Sequence, residues 1–410
     1  MDGAFQGEAT LRSAAPLVTA GFVISFVVIG GGIDTVGIFI NAIAQATDWA
    51  RSGLSAGVAV GAVVAALATP AVGVAIDRYG VRAPMLAGVV LLAAGFGVLV
   101  AMQAPWHFIA ANVFLGAGFA ACALLPITVA ITVLVRDRTA LALGIAATGS
   151  SVGTLVLAPT IQAIVEALGW RGTYVVLGVC VVLTPLPFVA LVLPGGRLDR
   201  RDAPGRPTPA LPSAAELVGP GLRGLVALMV LPGLVTFAMS VHLVPYLASN
   251  GFTGSTAALA LGATIGVSAI GKIAGGWLAD RFGSLRMMRV ALLLATAALA
   301  LLPAAGTTGA TLAGFVALYG VALGTYVAVT PALAHEILGE DRFGTLFGVL
   351  QLIAMLAAAV GPVAAGAIFD ATGGYGQAMG LWVGAMFCAL LVALGMRSSA
   401  SLTPPSEAVA

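Results

Sequence analysis

Charge is scarce in this chain. Of its 410 residues only 8% are Asp, Glu, Lys or Arg, against 60% hydrophobic, where a soluble globular domain carries roughly 25% charged residues. So little charge cannot cover a water-facing exterior, and most of the surface must face lipid. The net charge is only +2, and the basic residues are scattered over short loops with no aromatic-interleaved stripe, which argues against a nucleic-acid partner. Cysteine is scarce too. Cys122, Cys180 and Cys388 stand far apart inside apolar runs, with no CxxC or Cys/His spacing that would suggest a metal site or a disulfide framework. They read as small apolar helix residues. No Walker glycine-rich lysine motif is present, so no ATP site is expected. Nor is there a nucleophile–base or metal constellation, and neither an enzyme nor a cofactor is expected. Aromatics, at 7%, do not favour a large greasy cavity.

What the chain has in abundance is apolar length. A spanning helix needs about 20 apolar residues, and twelve such runs can be read, at about 16–45, 52–76, 84–103, 106–135, 140–168, 172–194, 220–249, 255–279, 287–304, 309–338, 343–369 and 376–397. The predicted fold is an all-α polytopic membrane protein. The N-terminus does not read as a signal peptide, because Asp2 and Glu8 accompany Arg12 and the following apolar run is too long. With the N-terminus inside, fifteen of the eighteen Lys and Arg fall on the cytoplasmic side, only Arg51 and Arg171 fall outside, and Lys272 is in the membrane. That asymmetry sets the expected topology, with both termini cytoplasmic, and Trp49, Trp106 and Trp170 are expected in the outer aromatic belt. The 54 glycines suit closely packed helices.

Residues 195–219, rich in Pro, Arg and Asp, cannot span and read as a cytoplasmic linker between two six-helix halves, 1–194 and 220–410. The halves repeat. Gly73, Asp77, Arg78 and Gly80 are echoed by Gly276, Asp280, Arg281 and Gly283, and Pro126, Arg138, Gly144 and Pro159 by Pro331, Arg342, Gly348 and Pro362. Two pseudo-symmetric parallel halves with a central site are a transporter architecture.

Two charges are expected near the bilayer midplane, Asp34 in the first run and Lys272 in the eighth. A charge at that depth costs several kcal/mol unless it faces a cavity or a partner, and marks a functional-site hypothesis.

The run Gly73-x-x-x-Asp77-Arg78-x-Gly80-x-Arg82 after the second segment, with its echo after the eighth, resembles the signature of the major facilitator superfamily. Within it the chain resembles the monocarboxylate porters, which include the bacterial oxalate:formate antiporter. The features that carry this are Trp49-Ala-Arg51-Ser52, Arg138 to Gly153, Gly169-Trp170-Arg171, His242 to Tyr246, Gly361-Pro362 and Asp370 to Tyr375. The resemblance implies alternating access about a midplane site, and substrate carboxylate binding by a basic residue at the position of Lys272. Arg is usual there; Lys is a compact point charge whose pKa falls readily on burial. Many bacterial relatives carry no charge at the position of Asp34, so an acid there suggests a titrating group or a substrate that is not a simple anion.

The expected roles follow. Lys272 binds a small carboxylate, and Asp34 neutralises it in the empty carrier or takes a proton. His242, of a type that titrates near neutrality, is a further proton carrier. Tyr246 lies one turn from His242 and Ser268 one turn from Lys272, so each is expected beside its neighbour. Tyr319 and Tyr326 are expected to donate to a carboxylate, with Thr148, Ser151 and Asn112 as weaker lining candidates. Asp77, Arg78, Arg82, Asp280 and Arg281 are expected to form an inner gate, and Arg136 to Arg138 and Glu340 to Arg342 to join it. The expectation is a monomeric proton-coupled symporter of a monocarboxylate such as lactate or pyruvate, in a bacterial-type inner membrane. Carboxylate exchange, proton-coupled efflux and a transporter-like sensor are the alternatives.

Overall fold

Apolar runs inside lipid have one way to satisfy their backbone, the helix, and the computed structural model is helical wherever a long run occurs. It describes residues 14–33, 35–47, 49, 51–122, 124–135, 137–193, 222–304, 309–339 and 343–396. Asp34, Arg136, Glu340, Arg342 and the linker 195–219 lie outside these.

The helices are α1 (Ala15–Ile24), a π-helical segment (Ser25–Ile33), α2 (Val36–Thr47), α3 (Arg51–Tyr79), α4 (Arg82–Val100), α5 (Pro105–Cys122), α6 (Leu124–Leu134), α7 (Thr139–Leu183) and α8 (Pro185–Leu191). They continue with α9 (Arg223–Ser249), α10 (Gly254–Phe282), α11 (Ser284–Ala304), α12 (Gly309–Leu338), α13 (Phe343–Thr372) and α14 (Gly376–Gly395). Eleven continuous stretches among the described residues are long and apolar enough to cross a membrane. The fifth and sixth sequence runs fall in one of them, Thr139–Leu191, as two helices joined across a kink. Gly169 interrupts it with φ 69°, a conformation other residues rarely adopt. Outward faces stay apolar, as at Leu155, Leu259 and Val363, each more than 70% exposed.

The chain forms two compact units. One comprises 1–211 and 340–352; the other comprises 212–339 and 353–410. The boundary falls within α13, whose first part belongs to the first unit and whose remainder belongs to the second.

In the first unit, glycines let helices meet backbone to backbone. A Cβ on Gly149 would strike the Phe22 carbonyl oxygen, and one on Gly153 the Phe26 carbonyl. The Gly149–Gly153 pair, a feature of the family resemblance, is thus what admits the first span against α7. The second unit is held by α12 packed on α10 and by polar ties at its helix ends. Arg289 of α11 donates through Nε to Ala393 O at 2.9 Å and through Nη2 to Met396 O at 2.7 Å. It satisfies carbonyls left over at the end of α14. Ser284 donates to Glu336 at 2.5 Å.

One sequence expectation is corrected here. Trp170 is not an exposed belt residue but is 6% exposed. It meets Tyr174 edge-on at 6.3 Å and is covered by the Arg171 guanidinium 4.2 Å from its ring centroid. Trp106, at 63% exposure, keeps an interfacial aspect.

Candidate functional site

Lys272 lies on α10, ten residues before Phe282 and eighteen after Gly254. At 1.5 Å per residue these are about 15 Å and 27 Å from the two helix ends. Its side chain is 6% exposed, and among the described residues no other Asp, Glu, Lys or Arg is buried. It is also the only lysine in the chain; the remaining seventeen of the eighteen basic residues are arginines.

The local sequence explains how a charge is held there. Gly271 and Gly275 on α10 flank Lys272, and Gly320 and Gly324 on α12 face them. A Cβ on Gly324 would strike the Ser268 carbonyl oxygen and lie 2.6 Å from the Lys272 nitrogen, and one on Gly271 would strike the Val321 carbonyl oxygen. Thr325 Oγ1 donates to Gly271 O at 3.3 Å, one residue before Lys272. The lysine backbone is therefore fixed by a rigid two-helix seam rather than by a loop. Ser268, one turn earlier and 3% exposed, donates to Ile265 O at 2.7 Å.

The tyrosines of α12 serve other ends. Pro232 of α9 has no N–H, so the Leu228 carbonyl loses its helical donor. Tyr326 supplies a substitute, donating toward Leu228 O at 3.3 Å and Met229 O at 3.4 Å. Tyr319 stacks on Phe315 with centroids 5.2 Å apart and is 4% exposed. Both tyrosines line a cavity against α9, α11 and α14.

His242 of α9 has partners for both ring nitrogens. Nε2 lies 3.0 Å from Pro362 O, and Nδ1 lies 3.1 Å from the Tyr375 hydroxyl. A carbonyl only accepts, so these partners assign the Nε2 hydrogen, and in the neutral ring Nδ1 accepts from Tyr375. Burial, and then the charge of Asp370, hold the Tyr375 phenol above its ordinary pKa, so it stays a neutral donor. Tyr375 is the hub of an aromatic nest, with Phe369 at 4.7 Å, His242 at 5.6 Å and Tyr246 at 6.0 Å between ring centroids. His242 and Tyr246 thus share a neighbour, as their spacing suggested. Tyr375→Phe is expected to lower stability by about 1 kcal/mol, the net worth of one hydrogen bond. Thermal melting of the purified protein measures it, and an unchanged melt would show the bond to be idle.

In the first unit Asn112 (8% exposed) donates from Nδ2 to Phe108 O at 2.8 Å and packs on Gly61. Thr148 (5% exposed) donates to Gly144 O at 2.7 Å. Ser151 is equally buried on α7. A feature the sequence reading missed is the π-helical turn Ser25–Ile33 that leads directly to Asp34. Such turns concentrate at functional sites, and the Gly30-Gly31-Gly32 run was its available signal. Thr35 back-bonds to Gly31 O at 2.5 Å.

The expected gate residues behave unequally. Asp77, at the end of α3, accepts from Gly344 N at 3.0 Å, Thr345 N at 2.7 Å and Thr345 Oγ1 at 2.5 Å. It is a carboxylate cap for the first turn of α13, where unsatisfied N–H groups and the helix dipole favour an anion. Gly73 and Gly344 permit the approach, since a Cβ on Gly73 would strike the Gly344 carbonyl. Arg82 is half-buried, Arg78, Asp280 and Arg281 are exposed, and Arg281 lies 5.9 Å from the Trp277 ring centroid. Asp77→Asn keeps the shape but removes the anion and turns an N–H donor toward N–H donors. The expected loss is roughly 1–3 kcal/mol, read as a lower melting temperature.

Comparison with known proteins gives this geometry a family. An MFS-type transporter of Gibberella moniliformis is 29% identical over 322 residues, 77% of this chain and 75% of its own. Mouse monocarboxylate transporter 11 is 28% identical over 317 residues, 73% of this chain and 68% of its own. Among solved structures, the transporter FucP in its outward conformation superposes with a TM-score of 0.75 at 16% identity, over 93% of this chain and 97% of that one. The human organic anion transporter MFSD10 gives 0.71 at 17% identity, over 93% and 99%. The family description Major Facilitator Superfamily matches residues 22–362 and 226–409; with helices, glycine seams and a capped signature Asp77 in agreement, the chain belongs to that superfamily.

Proposed function

We propose that this member of the superfamily, a multi-pass carrier of small organic solutes working by alternating access, moves small monocarboxylates such as lactate or pyruvate together with protons. The observation that carries the reading is Lys272, the one buried charged side chain among the described residues, held on a glycine-packed seam. A buried ammonium is a point charge suited to a carboxylate. The resemblance to the monocarboxylate transporters, at 28% identity for mouse transporter 11, supports that substrate class.

In this reading Gly169 marks the outer turn between a fifth and a sixth span, giving twelve spans in two halves with cytoplasmic termini. Lys272 engages the substrate anion from α10, with Ser268 on the same wall. Asp34 is the proposed counter-charge or proton acceptor. Asn112, Thr148 and Ser151 in the first unit, and Tyr246, Tyr319, Tyr326 and His242 in the second, are the further lining candidates. Asp77 with Arg78 and Arg82, and Asp280 with Arg281, belong to the inner gate, where the Asp77 cap on α13 makes and breaks as the carrier cycles.

The test is uptake of labelled lactate into proteoliposomes, with and without an inward proton gradient. Uptake that rises with the gradient supports proton symport. Uptake that needs carboxylate inside the vesicle and ignores the gradient replaces symport by exchange. No lactate transport in any condition removes this substrate.

A further inference from the structure

Helices α9, α11, α12 and α14 of the second unit enclose a small cavity bordered by Pro232, Thr236, Ala295, Tyr319 and Met386, among others. Its walls are almost wholly apolar, but the Tyr319 hydroxyl is fully buried there and makes no full hydrogen bond among the described residues. Leaving a buried hydroxyl unsatisfied costs roughly 1–3 kcal/mol. The neighbouring phenol on the same helix, Tyr326, is provided for by the Leu228 carbonyl that Pro232 frees and by the adjacent Met229 carbonyl. The Thr236 hydroxyl, one turn beyond Pro232, lines the same cavity and is close enough to act on Tyr319 as a hydrogen-bonding neighbour, but the pair does not reach the distance and angle of a full direct bond. The free space has room for about one water molecule, and a buried water needs two to four polar partners.

We propose that this cavity is an internal water site, in which one water bridges the hydroxyls of Tyr319 and Thr236 beside the proline of α9. The water completes what Tyr326 begins. Together they satisfy the polar groups around a helix segment that lacks one of its own hydrogen bonds. A hydrated pocket beside a proline also gives α9 a place to bend, because proline positions are where helices kink. The recognised species is water itself: the apolar walls offer nothing to a charged ligand, and the space excludes a larger one.

Radiolytic hydroxyl labelling with mass spectrometry tests this on the intact protein, because radicals born from a bound water oxidise the side chains beside it even when those are buried. Met386 borders the cavity and is 2% exposed, while Met379 on the same helix (1%) and Met288 on α11 (0%) are equally buried away from it. Met386 is expected to oxidise several-fold faster than Met379 and Met288. In the Tyr319→Phe, Thr236→Val double variant that excess is expected to vanish. Equal, slow oxidation of all three methionines overturns the proposal, as does an excess at Met386 that survives the double variant. Melting gives an independent arm. A dry, orphaned hydroxyl predicts that Tyr319→Phe raises the melting temperature, which overturns the water site; a bridged one predicts a lower melting temperature.

Discussion

Replacing Lys272 by Gln is expected to abolish measurable lactate uptake while leaving the protein folded. Gln keeps most of the length of the side chain and removes its charge. A charge-assisted hydrogen bond in a protein interior is worth roughly 1.5–3 kcal/mol, and its loss weakens binding by about tenfold to 150-fold. Coupling falls further if the ammonium is also what makes the empty carrier reluctant to switch. Melting of the same variant reports separately whether the fold survives the change. Uptake at the wild-type level in Lys272→Gln would defeat the substrate-binding role. A collapse of uptake together with a collapse of melting would assign Lys272 to structure instead. Lys272→Arg is the informative companion. Arg is the usual residue among the relatives this chain resembles, yet its planar fork is larger and directional, and the seam leaves little slack. Partial uptake with a raised KM is the expected outcome.

The chain's composition makes a second readout available. Because Lys272 is its only lysine, an amine-reactive reagent has one side-chain target besides the α-amino group. Its modification at 6% exposure is expected to be slow, and saturating lactate is expected to slow it further if substrate sits on the ammonium. Modification that ignores substrate while uptake proceeds would separate Lys272 from the transport path.

What could be read beforehand, and what could not, divides along sequence distance. Lys272 stood out because one charge among some twenty-five apolar residues is a local contrast, and the spans because apolar length is local too. The pairing of His242 with Tyr375 is 133 residues apart, and nothing in either neighbourhood announces it. The same holds for Tyr326 and the carbonyls of α9, where the signal was divided between a proline in one helix and a phenol in another. Arg289 counted in the sequence only as one of the fifteen basic residues on the cytoplasmic side, and its bonds to Ala393 and Met396 exist because α11 and α14 meet. The fifth and sixth runs looked like two helices because Gly169-Trp170-Arg171 reads as a turn. They are two helices joined across a kink, with non-helical φ and ψ at Gly169. The Gly-rich motifs were visible as letters but not as contacts. Gly73 was a motif position, and its reason is the Gly344 carbonyl against it.

That last point sets the largest stability effect. Gly324→Val is expected to destabilise the second unit by more than the roughly 1–3 kcal/mol usual for overpacking. The reason lies in what the new side chain would meet. Its first carbon would strike the Ser268 carbonyl and lie 2.6 Å from the Lys272 nitrogen, both backbone atoms that cannot rotate away. The two helices must therefore separate along the seam, giving up close packing that in lipid has no hydrophobic effect to replace it. Gly266→Val on α10 is the matched control, because a Cβ there meets nothing within 4 Å. Melting in detergent, with the two variants side by side, is the measurement. A large drop for Gly324→Val and little change for Gly266→Val supports the seam as the structural floor beneath Lys272. Equal, small effects would mean that α10 and α12 have slack between them. The glycines would then no longer explain how the ammonium is held at its depth.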